Sequence, residues 1–180
     1  MPIVTGDILY KYSVAAAAGN TTAGTAAGSL GDQISTTQIA DATLNALFDD
    51  VTGDENAASE AEYRCIFVHN AHASLTLQSA VVWLSAEVAG GASIAIAIDD
   101  IAASAIGSGS AQADTVADEN TAPGTGVGAF SSPTTKGAGL ALGNLGPGQC
   151  RAVWVRRTAA NSAALNNDGV TLRVEGDTAA

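Results

Sequence analysis

Large apolar residues alternate with small or polar ones in several short segments of this chain, and turn-forming residues separate them. Residues 94–98, with Ile and Ala in turn, are the clearest example. In residues 63–68 and 150–155, Tyr63, Cys65 and Phe67 alternate with Arg64, Ile66 and Val68, and Cys150, Ala152 and Trp154 alternate with Arg151, Val153 and Val155. A two-residue period places alternate side chains on opposite faces of an extended strand, whereas a helix needs apolar residues three and four apart. Gly90-Gly91 and Gly146-Pro147-Gly148 are turn signals between such segments. We therefore expect a mainly β fold, an antiparallel β-sandwich of jelly-roll or immunoglobulin-like type.

Two stretches depart from the strand pattern. Residues 102–139 are rich in Gly, Ser and Ala and poor in large apolar groups, which predicts long loops with one or two short strands. Residues 41–51 instead carry apolar residues at helical spacing, behind Asp41 as a suitable N-cap. These apolar residues are Leu44, Leu47, Phe48 and Val51. We expect one short helix here.

The first 29 residues differ from the rest of the chain. Residues 8–13 alternate like a half-buried strand, but residues 15–29 are mostly Ala, Gly, Thr and Asn. We expect residues 1–29 to form an extended N-terminal arm and flexible linker, and residues 30–180 to form a single β-sandwich domain. A strand on a tether can reach a neighbouring molecule. The expected partner contacts of this arm are Ile3, Ile8, Tyr10 and Tyr12.

The charge of the chain disfavours nucleic acid as a partner. Eighteen acidic residues against seven basic ones give a formal net charge of −11, which repels phosphate. The apolar stretch 92–98 is too short to cross a bilayer, so we expect no membrane association. The start Met1-Pro2-Ile3-Val4 lacks the pattern of a signal peptide, and we expect assembly in a cytoplasm.

An acidic segment between residues 49 and 62 is the best candidate for a cation site. Carboxylates around a flexible glycine suit Ca²⁺, although the spacing does not match an EF-hand. The candidate ligands are Asp49, Asp50, Asp54 and Glu55. A solvated acidic loop is the favoured interpretation, so we expect no metal and no other cofactor.

Histidine and cysteine are scarce. His69 and His72 are expected to make hydrogen bonds at a turn, because neither cysteine has the CxxC partner typical of zinc sites. Cys65 and Cys150 stand in apolar runs, and two buried free thiols are favoured over a disulfide.

Enzyme signatures are weak. No serine stands in a G-x-S-x-G motif, and Gly107-Ser108-Gly109-Ser110 has the composition of a loop. A carboxylate pair for glycoside hydrolysis is disfavoured because sugar sites usually use several aromatic side chains, and aromatics are 4% of the chain. We therefore expect a non-enzymatic protein.

Arg151, Arg156 and Arg157 form the main basic concentration. They either dock on an acidic neighbour, which makes Arg156 and Arg157 candidate partner contacts, or lie on the solvated face of one strand. The sequence leaves these alternatives open.

Three segments of the chain resemble a group of tailed-bacteriophage virion proteins. They are residues 47–53, residues 63–70 with Leu75-Thr76-Leu77, and residues 154–158 with 170–177. The resemblance covers roughly residues 30–178 and lies in framework strands.

The resemblance implies a small β-sandwich on the exterior of the capsid. Its expected role is that of a decoration (cement) protein, which binds the major capsid protein and copies of itself as a homo-oligomer and stabilises the head. A neck, tail or receptor-binding module is the alternative within the virion. A small β-sandwich hydrolase or carbohydrate-binding domain is the alternative of another class.

Overall fold

The fold consists of two antiparallel sheets, in a computed structural model that describes residues 2–15 and 20–178. Its strands are β1 Ile8–Val14, β2 Gly31–Gln38, β3 Ala61–Asn70, β4 Leu77–Glu87, β5 Ser93–Ile98, β6 Ser104–Ala105, β7 Ala113–Thr115, β8 Leu140–Leu145, β9 Gln149–Thr158 and β10 Val170–Thr178. A helix, α1, spans Gly53–Ala58, and 3-10 turns span Thr5–Asp7 and Lys136–Ala138. The predicted mainly β, sandwich-like fold is confirmed.

The larger sheet has seven strands in the order β5-β9-β3-β1-β2-β7, with β6 also pairing with β9. Its centre is the β3–β9 pair, whose register runs without a break from Ala61 opposite Thr158 to His69 opposite Cys150. The smaller sheet has the order β10-β4-β8. Both faces of β3 are buried along almost its whole length, so the larger sheet is the middle layer of the molecule.

The inner face of the larger sheet packs against the smaller sheet. Residues of the same parity share this face, as the two-residue period requires. The buried apolar residues of this core are Ile66, Val68, Leu77, Ala80, Val82, Leu84, Ile94, Ile96, Leu142, Leu145, Val153 and Val155. The inward-facing residues of β3, β5 and β9 in this core follow the two-residue period of their strands.

The opposite face of the larger sheet, here called the loop face, is covered by the long segment between β5 and β8. Tyr63, Cys65, Phe67, Cys150, Ala152 and Trp154 project from β3 and β9 on this side. Ile106, Val116, Val127 and Phe130 of the covering segment pack against them. The segment contains the short strands β6 and β7, which confirms the prediction of long loops with one or two short strands.

The predicted helix over residues 41–51 is wrong. Residues 41–48 form turns, and the helix α1 begins at Gly53 instead. Thr52 caps it: the Thr52 hydroxyl accepts from the Glu55 N–H at 3.3 Å, and the Glu55 carboxylate accepts from the Thr52 N–H at 2.6 Å. This reciprocal capping satisfies two N-terminal donors. The predicted helix over residues 41–51 is interrupted because Ala42 and Asn45 have left-handed φ angles of +53° and +56°.

The strand at the N-terminus is an inner strand of the larger sheet. β1 pairs with β3 from Ile8 opposite Asn70 to Tyr12 opposite Ile66, and its other edge pairs with β2. Residues 8–14 therefore do not form a free arm, because both edges of the strand are occupied within the chain. Residues 16–19 of the expected linker lie outside the described residues, and the boundary between residues 29 and 30 stays a prediction.

Candidate functional site

The predicted N-terminal partner contacts lie against the chain's own core. Ile3, Ile8 and Tyr10 are partly buried against the apolar cluster between the two sheets. The Tyr12 hydroxyl donates to the Ala46 carbonyl, which ties β1 to the turns after β2. These four side chains are consequently used in folding.

Arg157 takes part in a buried ion pair. Its Nε donates to Glu62 Oε2 at 2.6 Å, and the Arg157 and Glu62 side chains are 9% and 4% exposed. Arg157 Nη1 donates to the Asp49 carbonyl, and its Nη2 donates to Asp49 Oδ1 at 3.4 Å. Burial raises the pKa of Glu62 despite the opposing effect of Arg157. The predicted docking role of Arg157 is therefore replaced by an internal one.

Phe48 lies between two guanidinium groups at this end of the core. The Arg157 Cζ is 4.9 Å from its ring centroid, and the Arg64 Cζ is 5.6 Å away. Arg64 also pairs with Glu119 of the covering segment. Cation–π contacts of this kind stabilise by roughly 0.5–2 kcal/mol. We call Phe48, Glu62, Arg64, Glu119 and Arg157 the arginine cluster.

The three arginines of β9 do not form one basic patch. Arg156 projects to the loop face, where its Cζ lies 5.2 Å from the Phe130 ring centroid. Arg151 donates to the carbonyls of Leu142 and Asp99, at 2.9 and 3.2 Å. The interpretation of one solvated face is wrong, because Arg156 points to the opposite face of β9 from Arg151 and Arg157, and Arg157 is buried. A partner contact through Arg156 stays a prediction.

The candidate cation ligands are dispersed among structural roles. Glu55 belongs to the capping box and Asp54 to the first turn of α1. Asp49 contacts Arg157, whereas Asp50 is exposed. Within residues 2–15 and 20–178, no group of three or more His, Cys, Asp or Glu residues has an arrangement that could hold a metal ion.

Asp99 is a fully buried carboxylate that organises the loop face. Its Oδ2 accepts from Trp154 Nε1 at 3.0 Å and from the Asp114 N–H at 2.8 Å, and its Oδ1 accepts from the Ile101 N–H at 3.0 Å. Burial, followed by the charges of Asp99 and Asp100, raises the pKa of Asp114. Asp99 thus fastens the start of the covering segment to β9 and β7.

Gln112 is a second buried tie on the loop face. Its Nε2 donates to Ser104 Oγ at 2.8 Å, to the Ala105 carbonyl at 3.1 Å and to Cys150 Sγ at 3.2 Å. Its Oε1 accepts from the Ile34 N–H at 3.2 Å. The side chain therefore joins β2, β6 and β9.

Both thiols and the His69 ring are buried in the larger sheet. Cys65 and Cys150 are free and buried, and burial raises both pKa values, that of Cys150 to about 12. His69 lies in β3 rather than at a turn, and burial together with Lys11 lowers its pKa to about 4. His72 does match the predicted turn role, because its Nδ1 accepts from the N–H groups of Ser74 and Leu75.

Two shallow depressions lie at the end of the smaller sheet. One is lined by residues 86–88 and 169–171, and the other by residues 87–93. Glu87 is the ionisable residue that both share. This lining offers no pair of groups for acid–base chemistry.

Comparison with known proteins gave no relative: no family model, no curated protein and no solved structure matches the chain. No helix in the described part of the chain is long and apolar enough to span a membrane.

The arginine cluster and the two buried ties, Asp99 and Gln112, were not predicted from the sequence. A signal for the cluster was present, because Glu62 and Arg64 continue the parity of Ile66 along β3. Glu119, which pairs with Arg64, and Asp49, which contacts Arg157, come from loops, whose paths the strand period does not determine.

Proposed function

We propose that this chain is a non-enzymatic structural protein of a tailed-phage virion, of the capsid decoration type. It binds the exterior of the head, contacts the major capsid protein and copies of itself, and braces the shell. The resemblance in residues 47–53, 63–70 and 154–158 supports the phage assignment.

One observation carries the structural role: the buried polar, charged and thiol side chains contact other parts of the fold and hold its elements together. Asp99 and Gln112 hold loops, and the arginine cluster closes one end of the core. The thiols are buried with raised pKa values. Because these side chains serve to stabilise the fold, the function we propose depends on the surface that the molecule offers to its partners.

The expected mechanism is the sum of many modest contacts. A specific contact buries on the order of 1,000 Å² or more in total. Copies that bridge neighbouring capsid subunits add their contributions through effective concentration. The net charge of −11 suits a protein that binds a basic protein surface and does not compete for the packaged genome.

Co-sedimentation with undecorated heads tests the proposal. The purified chain, mixed with heads of the phage that encodes it, should pellet with them and saturate at hundreds of copies per particle. Heads should also resist heat or low salt better when decorated.

A chain that fails to bind heads at saturating concentration would contradict the proposal. Saturation at a handful or dozens of copies would favour the neck or tail alternative instead. Specific glycan binding by the purified chain would favour the carbohydrate-binding alternative.

A further inference from the structure

The outer edge of β10 is a nine-residue strand edge without a partner in the described part of the chain. β10 pairs with β4 along its other edge, from Val170 opposite Glu87 to Thr178 opposite Leu77. An unpaired strand edge presents N–H and C=O groups that can add another strand. This edge is therefore a candidate for contact with a second chain.

The orientation of the backbone groups on β10 follows from its register with β4. The Leu84 N–H donates to the Pro133 carbonyl at 2.8 Å, on the side of β4 away from β10. Leu172, opposite Leu84, therefore belongs to a non-hydrogen-bonded pair, and its backbone groups face the outer edge. The Tyr10 hydroxyl donates to the Leu172 carbonyl at 3.4 Å, which agrees with this orientation. A second strand has to displace this long hydrogen bond or share the carbonyl with it. Val174, two residues further, faces the same way.

We propose that β10 pairs antiparallel with β10 of a second copy of this chain, in the register centred on Val174. This register aligns residues 170–178 of one copy with residues 178–170 of the other and uses the whole strand. It joins two three-stranded sheets into one six-stranded sheet. The inference rests on the self-association in the proposed function and names the surface that mediates it.

Charge selects this register. With Val174 at the centre, Arg173 of each copy stands opposite Glu175 of the other, and unlike charges in directly opposed positions stabilise a strand pair. Centring on Arg173 opposes two arginines, and centring on Glu175 opposes two glutamates. Centring on Gly176 opposes Glu175 and Asp177. The Arg173 and Glu175 side chains are 62% and 46% exposed, so a second copy can reach both. Within one copy, Arg173 Nε lies 3.7 Å from Glu175 and Lys136 Nζ lies 3.4 Å from it, and the opposed charges of a second copy add to these exposed contacts.

The apolar side chains of β10 also favour coverage of its outer edge by a second copy. Val170, Leu172 and Val174 point toward the core but are only partly buried, since they form its margin. A second β10 beside them removes part of this apolar area from water, which favours association.

Charge reversal in the full-length chain tests the proposal by sedimentation velocity. The unmodified chain should form dimers. Arg173→Glu or Glu175→Arg alone should weaken the dimer about tenfold or more, because each creates two like-charge contacts across the axis. The double variant Arg173→Glu/Glu175→Arg should restore it. Asp50→Lys, at an exposed residue, reverses one charge in the same sense as Glu175→Arg; it is the control for that variant and should leave the dimer intact.

A chain that stays monomeric throughout the micromolar range, or dimers insensitive to the single reversals, would overturn the inference. Thermal unfolding of each variant separates lost pairing from lost folding, and the double variant keeps the test valid if one single variant is unstable. Head binding by a monomeric chain would refute this surface and leave the proposed function standing. Dimers that respond to the charge reversals but do not bind heads would support this surface and contradict the proposed function.

Discussion

At the scale of single residues, buried charges hold the molecule together. Glu62 and Arg157 come from paired positions of β3 and β9, and both are almost fully buried. Burying two charges costs desolvation free energy, which their mutual attraction offsets. If one partner is removed, the other stays buried without a counter-charge, and the fold loses stability. The arginine cluster is consequently a sensitive point of the fold.

We expect Arg157→Met to lower the free energy of unfolding by about 3–5 kcal/mol at neutral pH, because Glu62 is left buried without its cation. The loss should shrink as the pH falls, since a carboxyl with a raised pKa is readily neutralised. Urea unfolding at two pH values measures both effects. Glu62→Leu/Arg157→Met is the matched control and should recover most of the stability. A loss below about 1 kcal/mol in the single variant would contradict this role for the pair.

His69 should make the fold less stable in mild acid. Its pKa falls from 6.5 to about 4 on folding, so the unfolded chain binds a proton first as the pH drops. The contribution is fully present above pH 6.5 and is lost toward pH 4, at most about 3 kcal/mol. On the loop face, Lys11 and Cys150 lie near the ring.

Comparing unfolding of the unmodified chain and His69→Leu across this pH range isolates the effect, because carboxyls such as Asp114 titrate alike in both. The variant should lack the part of the pH dependence due to His69. Parallel curves for the two proteins would show that His69 takes up its proton equally in both states.

At the scale of elements, the strands were predictable and the segments between them were less so. Alternation identified β3, β5 and β9 because burial on a sheet follows a two-residue period that local sequence displays. The helix was misplaced because the prediction used the apolar spacing of residues 44–51 and overlooked the capping box of Thr52 and Glu55, which begins α1. The inner position of β1 was missed because strand order depends on contacts distant in the chain.

The site shows the same division. Which residues share a face of β9 follows from parity, so the separation of Arg156 from Arg157 was open to prediction. The loop partners Asp49 and Glu119 were not, since nothing local fixes where those segments pack.

Gly31 lies where β2 and β7 approach each other closely, and substituting it tests how much this close contact contributes to stability. Its φ is +104°, and an added Cβ would lie 1.8 Å from the Asp114 carbonyl oxygen, where β2 meets β7. Gly90 has a φ of +90° and open space around it. Gly90→Ala should cost about 1 kcal/mol of unfolding free energy from backbone strain alone. Gly31→Ala should cost at least about 2 kcal/mol more, because an added clash is comparable to overpacking a core.

Denaturant unfolding of both glycine variants provides the comparison. Hydrogen exchange should place the added loss around β7 and the covering segment. Equal losses in the two variants would mean that the close approach of β2 to β7 contributes nothing.

At the scale of the whole molecule, the two sheets and the covering segment form three layers, and the larger sheet is the middle one. The inner face carries the main core, and the loop face is fastened through Asp99 and Gln112. In the proposed role, this scaffold presents loops to the capsid and the edge of β10 to a second copy. The buried polar side chains, such as Asp99 and Gln112, hold these layers together.

A cryo-electron microscopy reconstruction of the native particle tests this account most directly. It should show this two-sheet fold on the outer surface of the head, bridging capsid subunits in many equivalent copies. Heads that lack this density, in particles where the chain is present elsewhere or absent, would contradict the account.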